Sequence, residues 1–226
     1  MAVLMTDPLA ANLTLLGVLL MGLAFYAGTK YVLRKDYANL DREFGYFLLA
    51  IGGYFTVYGL FDSLLWPAPM TGAYNILFGD SMAVLGFVSL MGGISLVKNL
   101  GLGFVSIFAF FAGIYALVSG VAGYNYGMTS APLALLGMYM GAGVSGILMP
   151  IAYFTRELSV LSTHGIRNTQ KPGKDAAAIA MHGITISQIF AILFIVAAVI
   201  GAIVALYTGY SAVVEHLHAF ASTPGL

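Results

Sequence analysis

Two acids, Asp62 and Asp80, stand inside stretches of sequence that are otherwise apolar enough to sit in a bilayer. An ionisable group costs about 2.5–3.5 kcal/mol at the centre of a spanning helix and less near its edge, so such residues face a bundle interior or an aqueous cavity. Asp62 lies four residues before Trp66, and Asp80 lies five after Asn75. On two helices joined by a short outer loop this puts both carboxylates at similar depth, roughly one turn below one interface. A pair so placed could bind a cation, a metal or a proton in an outward-facing site. The simpler alternative has Asp80 near a helix N-terminus, where an anion suits the dipole, and Asp62 bonded to a neighbouring Tyr or Asn. Near the C-terminus, Glu215, His216 and His218 offer metal-ligand chemistry. In a helix Glu215 and His218 share a face; in an extended segment His216 and His218 do. Zinc or copper requires further ligands, and a solvated amphipathic tail is the plainer reading. His182, Thr185 and Gln188 fall loosely on one side of the last apolar run. They suit a proton or quinone site, or serve as interhelical hydrogen-bond partners.

Several chemistries are excluded or poorly supported. There are no cysteines, which removes disulfides, thiolate metal sites, cysteine-ligated iron–sulfur clusters and a cysteine nucleophile. His182 is the only histidine inside an apolar run, so no self-contained bis-histidine haem is expected. Gly101-Leu102-Gly103 lacks the third glycine of a phosphate-binding loop, and neither a serine-nucleophile elbow nor a His-Glu-x-x-His zinc motif occurs. No catalytic residue emerges.

The elements that must position these residues are helices in a membrane. The chain has 226 residues, 60% hydrophobic and only 8% charged, with mean hydropathy +0.94. A soluble domain carries about 25% charged residues, so the deficit points to a lipid-facing surface. A spanning helix needs roughly 20 apolar residues, and six segments qualify: 9–33, 44–65, 76–97, 101–124, 131–154 and 177–210. None alternates as a barrel strand would. The whole of 1–226 therefore reads as a single integral membrane domain, an all-α polytopic bundle.

Charge placement orients it. Lys30, Arg34, Lys35 and Arg42 lie between runs one and two, Lys98 between three and four, and Arg156, Arg167, Lys171 and Lys174 between five and six. Those connections share one face of a six-helix bundle. Basic loops mark the cytoplasmic side, so both termini are expected outside, in the cytoplasmic (plasma) membrane. No Lys or Arg precedes Lys30, so the first run reads as a retained helix and not as a signal peptide. Trp66, Tyr74, Tyr124, Tyr126 and Tyr210 fall at the outer interface and Tyr31, Tyr37, Tyr46 and Tyr153 at the inner one, as an aromatic belt would. Small residues recur every four positions at Ala112, Ala116 and Gly120, at Gly137 and Gly141, and at Gly201, Ala205 and Gly209. Such spacing suits bundle packing or an oligomer seam. Val57-Tyr58-Gly59-Leu60 is similar to Ile114-Tyr115-Ala116-Leu117, so helix pairs two–three and four–five could be parallel repeats.

The outer loops carry the most distinctive text: Trp66-Pro67-Ala68-Pro69 followed by Tyr74-Asn75-Ile76-Leu77-Phe78-Gly79-Asp80, then Ala122-Gly123-Tyr124-Asn125-Tyr126-Gly127-Met128-Thr129 and Pro132-Leu133-Ala134-Leu135-Leu136-Gly137. Over roughly 9–154 the chain resembles an archaeal and bacterial membrane-protein family, domain of unknown function 981. The resemblance implies a multi-span helical fold and no known substrate, cofactor or functional residue. The function expected first is a small transport or ligand-binding bundle with an outward acidic site at Asp62 and Asp80. The alternatives are a non-catalytic subunit of a respiratory or oxidase-type complex, and a metal-dependent membrane enzyme. Expected partners are the lipid bilayer, anionic lipids at the cytoplasmic loops, and a homo-oligomer or hetero-complex; zero net charge suggests no nucleic acid.

Overall fold

A computed structural model describes residues 8–35, 37, 39–65, 73–167 and 185–221. Among them the regular structure is helical, with no strand. α1 is Pro8–Ala27 and runs on as a π-helical turn over Gly28–Val32. α2 is Leu40–Leu65. A second π-helical stretch, Asn75–Asp80, leads into α3, Ser81–Val97. α4 is Gly103–Asn125, α5 is Pro132–Arg167 and α6 is Ile186–Ala221. All six are long and apolar enough to cross a membrane, and the chain is an integral membrane protein. α2 starts four residues before its expected start at Phe44. α5 runs past Phe154 through Pro150 to Arg167, and α6 continues beyond Tyr210.

The helices stop where the chain can turn left-handed. Asn99 (φ +54°) follows α3, with Leu100 N–H donating to Ser95 O at 2.7 Å and Asn99 N–H to Leu96 O at 3.2 Å. Gly127 (φ +58°) ends α4 in the same way, through Met128 N–H to Gly123 O and Gly127 N–H to Tyr124 O. Both are Schellman closures that satisfy terminal carbonyls. Pro132 then opens α5, where its missing N–H costs nothing. Hydroxyls within the spans are satisfied by their own helices: Thr14, Thr56, Ser145 and Thr208 each donate to the carbonyl four residues back.

The closest helix pairs are α2 with α3, α4 with α5, α1 with α6, and α5 with α6; α1 meets α2 and α3 meets α4 more lightly. The α2–α3 pair is set by glycines seven residues apart. Gly45 faces Gly93, Gly52 faces Gly86, and Gly59 faces Gly79. A seven-residue repeat keeps one face on its partner along a left-handed crossing. A Cβ on Gly52 would stand 2.6 Å from Leu90 N, and one on Gly59 would stand 2.3 Å from Ala83 N. The backbones touch along this seam. In α4–α5 the corresponding contacts are Gly113 with Gly143 and Gly146, and Gly120 with Tyr139. The four-residue small sets fall on contacts inside the bundle: Gly141 meets Gly201, and Gly209 meets Thr14.

These contacts also move the register of the internal similarity. Gly52-x-Tyr54-x-x-Val57-x-Gly59 in α2 matches Gly113-x-Tyr115-x-x-Val118-x-Gly120 in α4, and both glycines of each set lie on the seam with the following helix. Gly59 therefore corresponds to Gly120, one helical turn beyond the Ala116 that the Val57–Leu60 alignment assigns to it.

Candidate functional site

At the centre of the six helices lies a cavity with about 140 Å³ open to the centres of water-sized molecules. Every helix contributes to its wall, among them Asn12 from α1, Phe55 from α2, Met82 from α3, Tyr115 from α4, Tyr139 from α5 and Phe194 from α6. The wall is otherwise almost entirely apolar. A smaller cavity of about 60 Å³ by the same measure adjoins it, sharing Leu23, Leu48, Gly92, Met149 and Phe194. Among its other lining residues are Tyr26, Tyr31 and Tyr153, at the end of the bundle that carries Lys30, Lys98 and Arg156.

A charged cluster closes this basic end. Lys30, on the π turn that ends the first helix, pairs with both carboxylate oxygens of Asp41 in the first turn of α2. Tyr26 donates to Asp41 Oδ1 at 2.7 Å, and its ring stacks on Phe44 at 4.4 Å. The Arg156 guanidinium lies 4.8 Å from the centre of the Tyr31 ring, within cation–π range.

The opposite end holds the two acids. The π stretch is a wider turn than an α-helix and often marks a functional position; here its carbonyls are read by tyrosines of other helices. Tyr139 donates to Leu77 O, and Tyr115 donates to Ile76 O at 3.2 Å. Gly79 lets the stretch lie on α2: a Cβ there would be 2.6 Å from Ser63 N and 3.1 Å from the carbonyl carbon of Asp62. Asp62 is buried at 2% exposure, and Asp80 is half-buried and accepts a hydrogen bond from Ser63. Asn75 Nδ2 donates to Ser63 O at 3.0 Å. The structure thus brings Asp62 and Asp80 to one end of one helix pair, where Ser63, next to Asp62 in the chain, bonds Asp80.

Thr185, Gln188, Glu215 and His218 line neither cavity. Thr185 and Gln188 form a capping box at the start of α6: Thr185 N–H donates to Gln188 Oε1 at 3.0 Å and Gln188 N–H to Thr185 Oγ1 at 3.4 Å. They also tie that start to the end of the first helix, through Gln188 Nε2 to Val32 O at 3.2 Å and Arg34 Nη2 to Thr185 Oγ1 at 3.3 Å. His182 lies outside the described residues. Glu215 and His218 are exposed on the last turns of α6 and share a face there; the side chain of His216 lies outside the described residues. Among the described residues no three His, Cys, Asp or Glu side chains gather as a metal set.

Sequence reasoning missed Asn12. It is 2% exposed and lines the central cavity, with Oδ1 accepting from Tyr54 OH at 2.9 Å. Its sequence signal is slight, one uncharged amide inside an apolar run. The arrangement has the character of a binding site: an apolar chamber, a few fixed polar groups, and polar ends.

The family model described as Protein of unknown function (DUF981) matches residues 1–219 of this chain. No curated protein and no solved structure matches it.

Proposed function

The chain belongs to that family, and from this premise we propose that it is an intramembrane ligand-binding bundle that takes a small, largely apolar molecule into its central cavity. The observation that carries the reading is the cavity itself, walled by all six helices in a fold whose four close seams are packed backbone to backbone. Protein interiors contain few voids larger than a water molecule, and an apolar void of about 150 Å³ stays dry and takes up benzene. A chamber of this size is therefore suited to an apolar guest. The close α2–α3 pair is bounded on both sides by the lighter seams, to α1 and to α4. These seams are the way in from the bilayer. With the basic loops cytoplasmic, Asp62 and Asp80 face the other side, where protonation or a cation would be linked to occupancy of the chamber.

Val88 and Ala142 both line the cavity, so Val88→Phe and Ala142→Leu fill it from opposite walls. The protein, extracted gently from its own membrane, is expected to carry a co-purifying small molecule in a native mass spectrum, and either variant to lose it while staying folded. A wild-type spectrum free of any such mass, or variants that retain it, would sink the proposal. Co-purification with fixed stoichiometric polypeptides in its place would put the chain in a larger complex as a subunit.

A further inference from the structure

Deepening that reading and resting on it, we infer that the ligand carries a hydrogen-bond-accepting oxygen, a ketone, ester or quinone-type carbonyl, and that Asn12 Nδ2 binds it. Asn12 is buried on α1 at 2% exposure. Tyr54 OH donates to its Oδ1, which fixes the amide and commits the oxygen end. The Nδ2 end has no hydrogen-bond partner, and Asn12 lines the cavity. An unpaired buried amide donor is costly and rare in native structures. A leucine of similar size would fill the position without that cost, so the amide makes sense where a guest supplies the missing acceptor.

The rest of the wall narrows the chemistry. Tyr115, Tyr139 and Ser145 all line the cavity but spend their protons on backbone carbonyls, those of Ile76, Leu77 and Gly141. The Ser81 hydroxyl, also on the wall, is engaged by the Tyr115 and Tyr139 hydroxyls. What the chamber holds ready for a guest is thus donor capacity. A neutral acceptor satisfies it, whereas a charged group would be left in an apolar box at high desolvation cost. The main cavity matches one six-membered ring in size, and the adjoining cavity beyond Leu48 and Phe194 accepts a short tail. The ligand class is a ring-sized carbonyl compound with an alkyl substituent.

The test uses a shape-matched pair, 4-butylacetophenone and 1-butyl-4-isopropylbenzene, which differ in having or lacking the acceptor. Binding to the full chain in nanodiscs is measured by equilibrium dialysis, with empty nanodiscs as the reference for lipid partitioning. The ketone is expected to bind about fivefold to tenfold more tightly than the hydrocarbon, the contribution of one good hydrogen bond. Asn12→Leu should erase that preference, leave hydrocarbon binding in place, and raise the melting temperature of the ligand-free protein by about 2–4 °C. Tyr54→Phe, outside the cavity wall, should shrink the preference by freeing the amide to turn. Equal binding of the two probes by the wild type, or a preference undiminished in both variants, overturns the acceptor inference and leaves the apolar chamber standing. If neither probe binds and Val88→Phe behaves like the wild type, the chamber reading falls as well.

Discussion

Gly52→Ala is expected to destabilise the bundle, while Gly53→Ala, one residue along the same helix, should leave it as stable or more so. An alanine in a helix interior gains about 0.5–1 kcal/mol over glycine from backbone entropy, and both variants collect that gain. They differ in what the new methyl group meets. At Gly53 the nearest atom is Leu90 Cδ2 at 4.0 Å, an ordinary contact. At Gly52 it would stand 2.6 Å from Leu90 N and 2.9 Å from Gly86 O, atoms of a facing helix that cannot rotate away. The axes would have to separate, and Gly45 and Gly59 lie on the same seam, so contact would be lost along the whole pair. Overpacking of this kind costs about 1–3 kcal/mol, occasionally more. Little hydrophobic force pushes helices together in lipid, so close packing itself carries the association. Thermal unfolding in a matched detergent reads the difference. Equal midpoints for the two variants would mean that the seven-residue register is not what holds α2 on α3. Gly86→Ala should follow Gly52→Ala, since its methyl group would stand 2.4 Å from Thr56 N.

That register is written in the sequence. Glycines at 45, 52 and 59 and at 79, 86 and 93 stand in plain order. The four-residue spacing of small residues is the better-known signal for close helix approach, and in this chain it marks other contacts, such as Gly141 with Gly201 and Gly209 with Thr14. Four similar side chains align Gly59 with Ala116, whereas the glycines on the two seams align it with Gly120. The spans themselves were legible, because charge is absent over long runs and turn residues punctuate them. The candidate site was legible only in part. Asp62 and Asp80 announced themselves by their cost in lipid, and their loop spacing brought them to one end. Ser63, between them, has no sequence signature. Asn12 reads in sequence as a polar residue near a helix start; its burial and the chamber beside it depend on five other helices. The two π-helical turns were equally hidden, since one extra residue per turn leaves no compositional mark.

Lys30 reads in sequence as one of the loop charges that orient the chain; in the structure it is paired with Asp41, and Asp41→Leu should lower stability by about 2 kcal/mol. The figure lies between about 0–1 kcal/mol for exposed ion pairs and about 3–5 kcal/mol for breaking a buried one. The two side chains are 19% and 35% exposed, so the pair belongs between those limits. Asp41→Leu strands the Lys30 ammonium beside the Tyr26 ring and removes the acceptor of Tyr26 OH as well. Lys30→Met should cost less, because Asp41 retains the Tyr26 hydrogen bond and greater access to water. The double variant Lys30→Met/Asp41→Leu should recover most of the loss, since no unpaired charge is left at the edge of an apolar chamber. Such non-additivity is the signature of a direct interaction, and urea or thermal unfolding of the four proteins measures it. A double variant that falls by the sum of the two singles would show that each charge acts alone, through topology or lipid headgroups. Recovery would instead make Lys30–Asp41 a clasp between the first two helices, which otherwise touch only lightly. The α1–α2 seam, one of the two proposed ways into the chamber, would then be held at the basic end by that pair together with Tyr26, which donates to Asp41 and stacks on Phe44.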